Sequence, residues 1–292
     1  MKERIFTGCA TALITPFRED GSVDKKALLN LVEWQIASKM DAIVALGTTA
    51  EAATLSGAEW QDTLKTVIGQ VNGRVPVIAG TGGNHTAAVI EKAKIAKELG
   101  ADGQLCVTPY YNKATQQGLI AHYTAIHDQT DLPLILYNVP GRTGLNMKPE
   151  TVKALSHLPR VAGIKEATGD CAQAGDILSM CGDDMPLYSG SDEITLPLRA
   201  IGASGVISVL SNVAPKMMHD ICHKPLEEAA KVQLKAMKLI RLLFSEVNPI
   251  PVKAAAAHMG LCKNVLRLPL TPMEKHNEEK LIDELERLNI TC

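Results

Sequence analysis

Short runs of apolar, often β-branched residues alternate with amphipathic stretches of helical period almost to residue 225, and this alternation limits the chain to folds built from βα units on a parallel sheet. The runs Thr11–Thr15, Ala42–Leu46, Val75–Ala79, Leu105–Val107, Leu134–Tyr137, Val161–Lys165, Leu187–Ser189 and Val206–Ser208 read as strands. Between the first two, Leu28, Leu31, Val32, Gln35 and Ile36 recur at i, i+3 and i+4 on one face, which predicts a helix over Lys25–Ser38 with Ser22 or Asp24 as its cap. A helix-end-to-strand phrase recurs at Lys39-Met40-Asp41-Ala42, at Leu99-Gly100-Ala101-Asp102-Gly103 and at Ile201-Gly202-Ala203-Ser204-Gly205. In the last two a glycine stands where a helix ends in the left-handed conformation.

Eight such units close into a barrel, whereas an open doubly wound sheet needs fewer strands and a Gly-x-Gly-x-x-Gly turn after the first of them. The glycine-rich Gly80-Thr81-Gly82-Gly83-Asn84 follows the third strand and lacks the acidic partner of a dinucleotide site. The expected fold is therefore α/β, a (β/α)8 TIM barrel over residues 1–225. A small C-terminal helical domain over 226–292 follows, with helices near Leu226–Phe244, Pro251–Met259 and Glu274–Leu288. Asn248-Pro249-Ile250-Pro251 resets the chain direction, with Pro251 suited to a first helical position.

At 292 residues, 46% hydrophobic and with a net charge of −2, the chain can bury a core without disulfides or a structural metal, and it offers nucleic acid or an anionic membrane no basic surface. Met1–Phe6 has no apolar stretch of the secretory type and no window reaches membrane-span length, so a cytoplasmic protein acting on small molecules is expected. Seven cysteines without a Cys-x-x-Cys pair read as free thiols. His219 and His223 are four apart, but Lys216, Met217, Met218 and Lys224 around them point to a surface helix, and neither a metal nor a cofactor is expected.

In such barrels chemistry comes from the carboxyl ends of the strands and the loops after them. Lys165 ends the apolar run Val161-Ala162-Gly163-Ile164, where burial disfavours the ammonium and leaves a nucleophilic amine able to form an imine with a ketone; a lysine reaching back to solvent is the other reading. Tyr137 ends Leu134-Ile135-Leu136 and is either a proton carrier or a packing residue. Arg142, flanked by Gly141 and Gly144, suits a two-pronged grip on a carboxylate or a place on the surface. Thr48 and Thr49 offer hydroxyls for a carboxylate or a proton relay, or simply cap a turn.

Taken in order, Gly47-Thr48-Thr49, Thr108-Pro109-Tyr110-Tyr111-Asn112, Tyr137-Asn138-Val139-Pro140-Gly141-Arg142-Thr143-Gly144 and Gly163-Ile164-Lys165-Glu166-Ala167-Thr168-Gly169 closely resemble the 4-hydroxy-tetrahydrodipicolinate synthase family, formerly dihydrodipicolinate synthase. The likeness extends through Gly205-Val206-Ile207-Ser208-Val209 and Asn248-Pro249-Ile250-Pro251-Val252-Lys253. It implies condensation of pyruvate with L-aspartate 4-semialdehyde through a Schiff base on Lys165, on the route to diaminopimelate and lysine. By the same resemblance Tyr137, Thr48 and a neighbouring subunit's Tyr111 form a proton relay. Thr49 and the main chain near Ile207 hold pyruvate, Gly190 is a further substrate-binding position, Arg142 holds the carboxylate of the second substrate, and the assembly is a homotetramer of tight dimers.

The chain departs from that pattern at Ala50 and Ala52, where the family usually shows glycine and serine. If the first position requires positive φ, alanine there costs about 1 kcal/mol. The runner-up is a related lyase or aldolase acting on N-acetylneuraminate or a 2-keto-3-deoxy sugar acid, and a different class again is a barrel that binds ligand without chemistry. Many family members are inhibited by lysine. Here Asn84 matches a residue of that site, but Ala88 stands where sensitive members carry glutamate and Gly57 and Trp60 where histidines are common, so weak or absent inhibition is expected. Glu91, or a cation–π contact from Trp60, offers partial compensation.

Overall fold

The structure is a computed structural model describing Lys2 and Arg4–Thr291; Met1, Glu3 and Cys292, the last of the seven cysteines, lie outside the described residues. Eight parallel strands follow one another around a closed barrel: β1 Gly8–Ala12, β2 Ala42–Ala45, β3 Val77–Gly80, β4 Gly103–Val107, β5 Leu134–Asn138, β6 Val161–Glu166, β7 Leu187–Ser189 and β8 Gly205–Ser208. Each pairs with the next in sequence, and β8 pairs back onto β1 through Gly8–Gly205 to Thr11–Ser208. All eight expected runs supply a strand.

The first is displaced, however: β1 covers Gly8–Ala12 and not Thr11–Thr15. Its opening residues, Gly8-Cys9-Ala10, are small and carry no β-branched signal, while past Ala12 only Leu13 N–H still reaches β2, at the Val44 carbonyl, and the β-branched Ile14 turns its N–H to Asn212 Oδ1 at 3.0 Å. β3 starts at Val77, two residues later than expected, because Pro76 has no N–H to give a neighbouring strand.

Local signals set the helices as expected. Lys25–Ala37 is capped by Asp24, whose carboxylate accepts from Ala27 N–H, and not by Ser22. Gly100 and Gly202 take φ of +94° and +110° after their helices, and Lys39 does the same at +64° in the phrase that lacks a glycine. Beyond residue 225 the helices are Leu226–Leu242, Ile250–His258 and Lys275–Arg287; Ile250 opens the second and Pro251 follows it, one position later than expected. Their buried Leu239, Val252 and Leu285 belong to the same apolar cluster as Leu31, Leu64 and Leu210 of the barrel.

Inside the barrel Ala10, Val44, Ile78, Leu105, Ile135 and Ile207 pack with Phe6 and Tyr188, whose rings stack at 4.3 Å. The interior is thus filled, and chemistry is confined to its rims. Among the described residues the cysteines Cys9, Cys106, Cys171, Cys181, Cys222 and Cys262 are all unbridged, and no helix is long and apolar enough to cross a membrane.

Closure of the seam depends on Gly205, where an added Cβ would stand 1.9 Å from the Gly8 carbonyl oxygen. Gly205→Ala should lower unfolding stability by at least about 2 kcal/mol. Gly175→Ala, in the helix Cys171–Cys181 with nothing within 4 Å of the new methyl, should raise it by about 1 kcal/mol. Denaturant unfolding of the two variants should therefore move in opposite directions.

Candidate active site

Register brings the two central groups together. Tyr137 on β5 pairs with Lys165 on β6, and residues level with each other on neighbouring parallel strands project to the same side. Lys165 Nζ lies over the Tyr137 ring, 4.4 Å from its centroid, and Lys165 is only 6% exposed. Burial draws the Lys165 ammonium down to about 8, with the Asp192 carboxylate pulling the other way and the Arg142 guanidinium adding to the fall. Burial also raises the Tyr137 phenol, partly offset by Arg142 and a hydrogen bond with Thr48. The same dry site thus favours a neutral amine and a protonated phenol, a nucleophile beside a proton donor.

Thr48 and Thr49 sit in a single 3-10 turn, Thr48–Ala50, directly after β2. Thr48 is exposed at the mouth, while Thr49 is buried and its Oγ1 accepts from Asn248 Nδ2 at 2.9 Å. Ala50 does not take positive φ, so the strain expected of an alanine there does not arise. The left-handed residue is Glu51, at φ 52°. It is held by a buried Lys253 whose Nζ meets Oε1 at 2.6 Å, and its Oε2 accepts from Arg267 N–H at 2.9 Å. Lys253 is fully buried and also lies over the Phe17 ring, 4.2 Å from its centroid.

Arg142 lies in the one-turn helix Pro140–Thr143 that follows β5, exposed, with Nη2 donating to the Asn248 carbonyl at 3.2 Å. Asn248 therefore joins the threonine turn to the arginine. A cavity of about 370 Å3 opens over this group, lined by Thr48, Glu51, Tyr137, Arg142, Asn248 and Leu270 among others. Small organic acids fit such a space. Ile207 is buried on β8; Gly190 donates its N–H to the Glu166 carbonyl at 2.7 Å, and a Cβ there would meet Ala167 Cβ at 2.5 Å. Tyr111, at φ 71° and 91% exposed, is not brought to the Lys165 group within one chain.

Two polar residues of this region escaped the strand-end reading. Asp192, three residues past β7, is buried; its Oδ2 accepts from Val209 and Leu210 N–H at 3.1 and 2.8 Å. Burial raises its carboxyl above the usual range. A charge in the phrase Ser189-Gly190-Ser191-Asp192 was the available signal. The side chain of Asn248 was hidden in a segment that reads only as a turn. At the position that the resemblance links to lysine inhibition, Trp60 is 2% exposed and faces Lys92 Nζ at 5.7 Å, so it offers no open ring to a ligand; Glu91 is exposed. Among the described residues one group of metal-ligating side chains stands close together, Cys9, Asp41 and His223, at the other end of the barrel; His219 is not part of it.

The model of the dihydrodipicolinate synthetase family matches residues 5–288. The chain is 53% identical over 281 residues to the 4-hydroxy-tetrahydrodipicolinate synthase of Geobacter sulfurreducens, covering 95% of this chain and 97% of the relative. Against the synthase of Alkaliphilus oremlandii it is 47% identical over 290 residues, 98% of this chain and 100% of the other. Its backbone superposes with a TM-score of 0.96, at 46% identity and over 97% and 99% of the two chains, on the chloride-inhibited dihydrodipicolinate synthase of Acinetobacter baumannii complexed with pyruvate.

The turn that carries Thr48 and Thr49 is anchored through Glu51, so Glu51→Gln should leave the Lys253 cation without its counter-charge and cost about 3 to 5 kcal/mol of stability. In a thermal melt this is a fall of roughly 10 °C or more. Glu51→Gln with Lys253→Met should recover much of the loss, and equal instability of the single and double variants would contradict the pairing.

Proposed function

The chain belongs to the dihydrodipicolinate synthetase family and condenses pyruvate with L-aspartate 4-semialdehyde to 4-hydroxy-tetrahydrodipicolinate, and we propose that the covalent carrier is the amine of Lys165. The observation that carries this assignment is a buried lysine, its ammonium drawn down to about 8, held against the ring of a buried tyrosine at the carboxyl rim of the barrel.

The neutral amine of Lys165 attacks C2 of pyruvate; the carbinolamine loses water to an imine, whose protonated nitrogen acidifies the C3 methyl. Loss of one C3 proton gives an enamine, which forms the new carbon–carbon bond at the aldehyde carbon of the second substrate. The amino group of that substrate then attacks C2, closing the ring and expelling the Lys165 amine. Protons must be moved along this sequence, and Tyr137 with Thr48 is our assignment for the carrier, supported by their place together on the cavity wall. Tyr111 of a neighbouring subunit extends the relay in this reading, which its 91% exposure in a lone chain favours. The assembly is then a cytoplasmic homotetramer.

We assign Thr49, Gly190 and the main chain near Ile207 to pyruvate and Arg142 to the carboxylate of the aldehyde. Arg142 suits that role because it is exposed at the cavity wall and, among the described residues, is anchored through a bond to the Asn248 carbonyl. The sugar-acid lyase reading is set aside, since relatives at 53% and 47% identity across nearly the whole chain carry the synthase name.

Borohydride with pyruvate should add one pyruvate-derived mass to the Lys165 peptide, and trapping on any other lysine would refute the assignment. Because the Lys165 pKa is lowered to about 8, deprotonation is what rising pH supplies: kcat/KM for pyruvate should climb nearly tenfold per unit below about pH 8 and level off above it. Arg142→Ala should leave pyruvate trapping intact and raise KM for the aldehyde roughly 30-fold or more, the loss of about 2 to 4 kcal/mol of charge-assisted binding. Parallel loss of trapping and of aldehyde affinity would remove Arg142 from that role.

A further inference from the structure

At the amino ends of the strands, opposite the Lys165 rim, three side chains from three elements converge. Cys9 is the second residue of β1, Asp41 immediately precedes β2, and His223 ends the helix Pro215–His223 that follows β8. Cys9 Sγ, Asp41 Oδ2 and His223 Nε2 all lie within 4.8 Å of one another. Asp41 Oδ2 is 2.8 Å from His223 Nε2 and 3.4 Å from Cys9 Sγ, and it accepts from the Cys9 N–H at 2.8 Å. Gly8 leaves the space: a Cβ there would stand 2.2 Å from Asp41 Oδ2 and 2.6 Å from His223 Nε2. The His219 ring stacks on that of His223 at 4.4 Å and fixes its plane.

We propose that Cys9, Asp41 and His223 bind a divalent cation of the zinc class, with a water molecule in the fourth position. One sulfur, one imidazole nitrogen and one carboxylate oxygen form a donor set suited to zinc and unsuited to magnesium or calcium, which take oxygen. With bonds of about 2.0 Å to nitrogen and oxygen and about 2.3 Å to sulfur, tetrahedral ligands stand roughly 3.3 to 3.6 Å apart. The observed 3.4 Å between sulfur and oxygen already matches, and the 2.8 Å between nitrogen and oxygen is a proton-bridged contact that opens by about 0.5 Å when the metal replaces the proton. Binding releases the Cys9 thiol proton and the Nε2 proton that His223 shares with Asp41, and a thiolate with a carboxylate balances the cation's two charges. The Cys9 N–H holds the carboxylate in place as an outer-shell donor.

Cys9 is buried, Asp41 half-buried and His223 exposed, so the cation enters from the histidine side. The site joins β1, the start of β2 and the helix after β8, which are the elements on either side of the β8–β1 seam. It lies the length of a strand away from Lys165, about 15 Å at roughly 3.3 Å per residue, and so serves the closure of the barrel and not the condensation.

Cobalt reports on thiolate ligation directly. The full-length assembled protein, reduced and stripped with chelator, should take up one Co2+ per chain with a thiolate-to-cobalt charge-transfer band that Zn2+ displaces, while kcat is unchanged. Cys9→Ser should abolish the band. His223→Gln, a change at the exposed ligand that leaves the core intact, should weaken Co2+ affinity at least about 100-fold, since loss of outer-shell partners alone costs about 10 to 100-fold. No charge-transfer band at stoichiometric cobalt, or an undiminished affinity in His223→Gln, would overturn the proposal. Should Cys9→Ser fail to fold, the His223→Gln titration decides it.

Discussion

The ion pair between Lys253 and Glu51 is the constraint on which the geometry of the catalytic mouth rests. Both charges are out of solvent, a placement that costs several kcal/mol per ion unless contact and further hydrogen bonds offset it. Here the 2.6 Å contact, the Phe17 ring under the ammonium and the Arg267 N–H on the second carboxylate oxygen supply that compensation. The pair holds Glu51 in the left-handed region, which ends the turn carrying Thr48 and Thr49. Since Lys253 sits on the helix Ile250–His258, the segment beyond residue 225 sets the posture of a loop that follows β2. Asn248 repeats the link at the next level by binding the Thr49 hydroxyl through its side chain and Arg142 through its carbonyl.

Around that frame, burial acts on two neighbours with opposite sign. A cation out of water loses its proton more readily and a phenol less readily, so one dry pocket prepares Lys165 as a nucleophile and Tyr137 as a proton donor. Asp192 limits the first effect, its buried carboxylate favouring the ammonium of Lys165. The balance between burial and Asp192 keeps the lysine amine available near neutral pH without making it a permanently neutral group.

The rims of the barrel divide the work. The carboxyl rim carries the cavity and the polar side chains, while the amino rim carries Gly8, Gly205, Cys9, Asp41 and His223, where close approach of backbones closes the seam. Small residues dominate that closure, which is also why β1 begins three residues before the apolar content of its sequence predicts.

Much of the fold was legible because short apolar runs and helical periodicity report burial locally: the eight strands, the Asp24 cap, the left-handed Gly100 and Gly202, and a lysine and a tyrosine at strand ends. The resemblance added roles for those residues, and it also suggested strain at Ala50 that the backbone does not show. What the tertiary structure alone decided are the meetings of polar groups far apart in the chain, among them Glu51 with Lys253, Thr49 with Asn248, Asp192 with Lys165, and Cys9 with Asp41 and His223. Periodicity tells which face of an element turns inward, because removing apolar surface from water drives that choice residue by residue. It says nothing of which polar partner waits inside, because that depends on how the barrel closes and on where the helices beyond residue 225 come to rest against it.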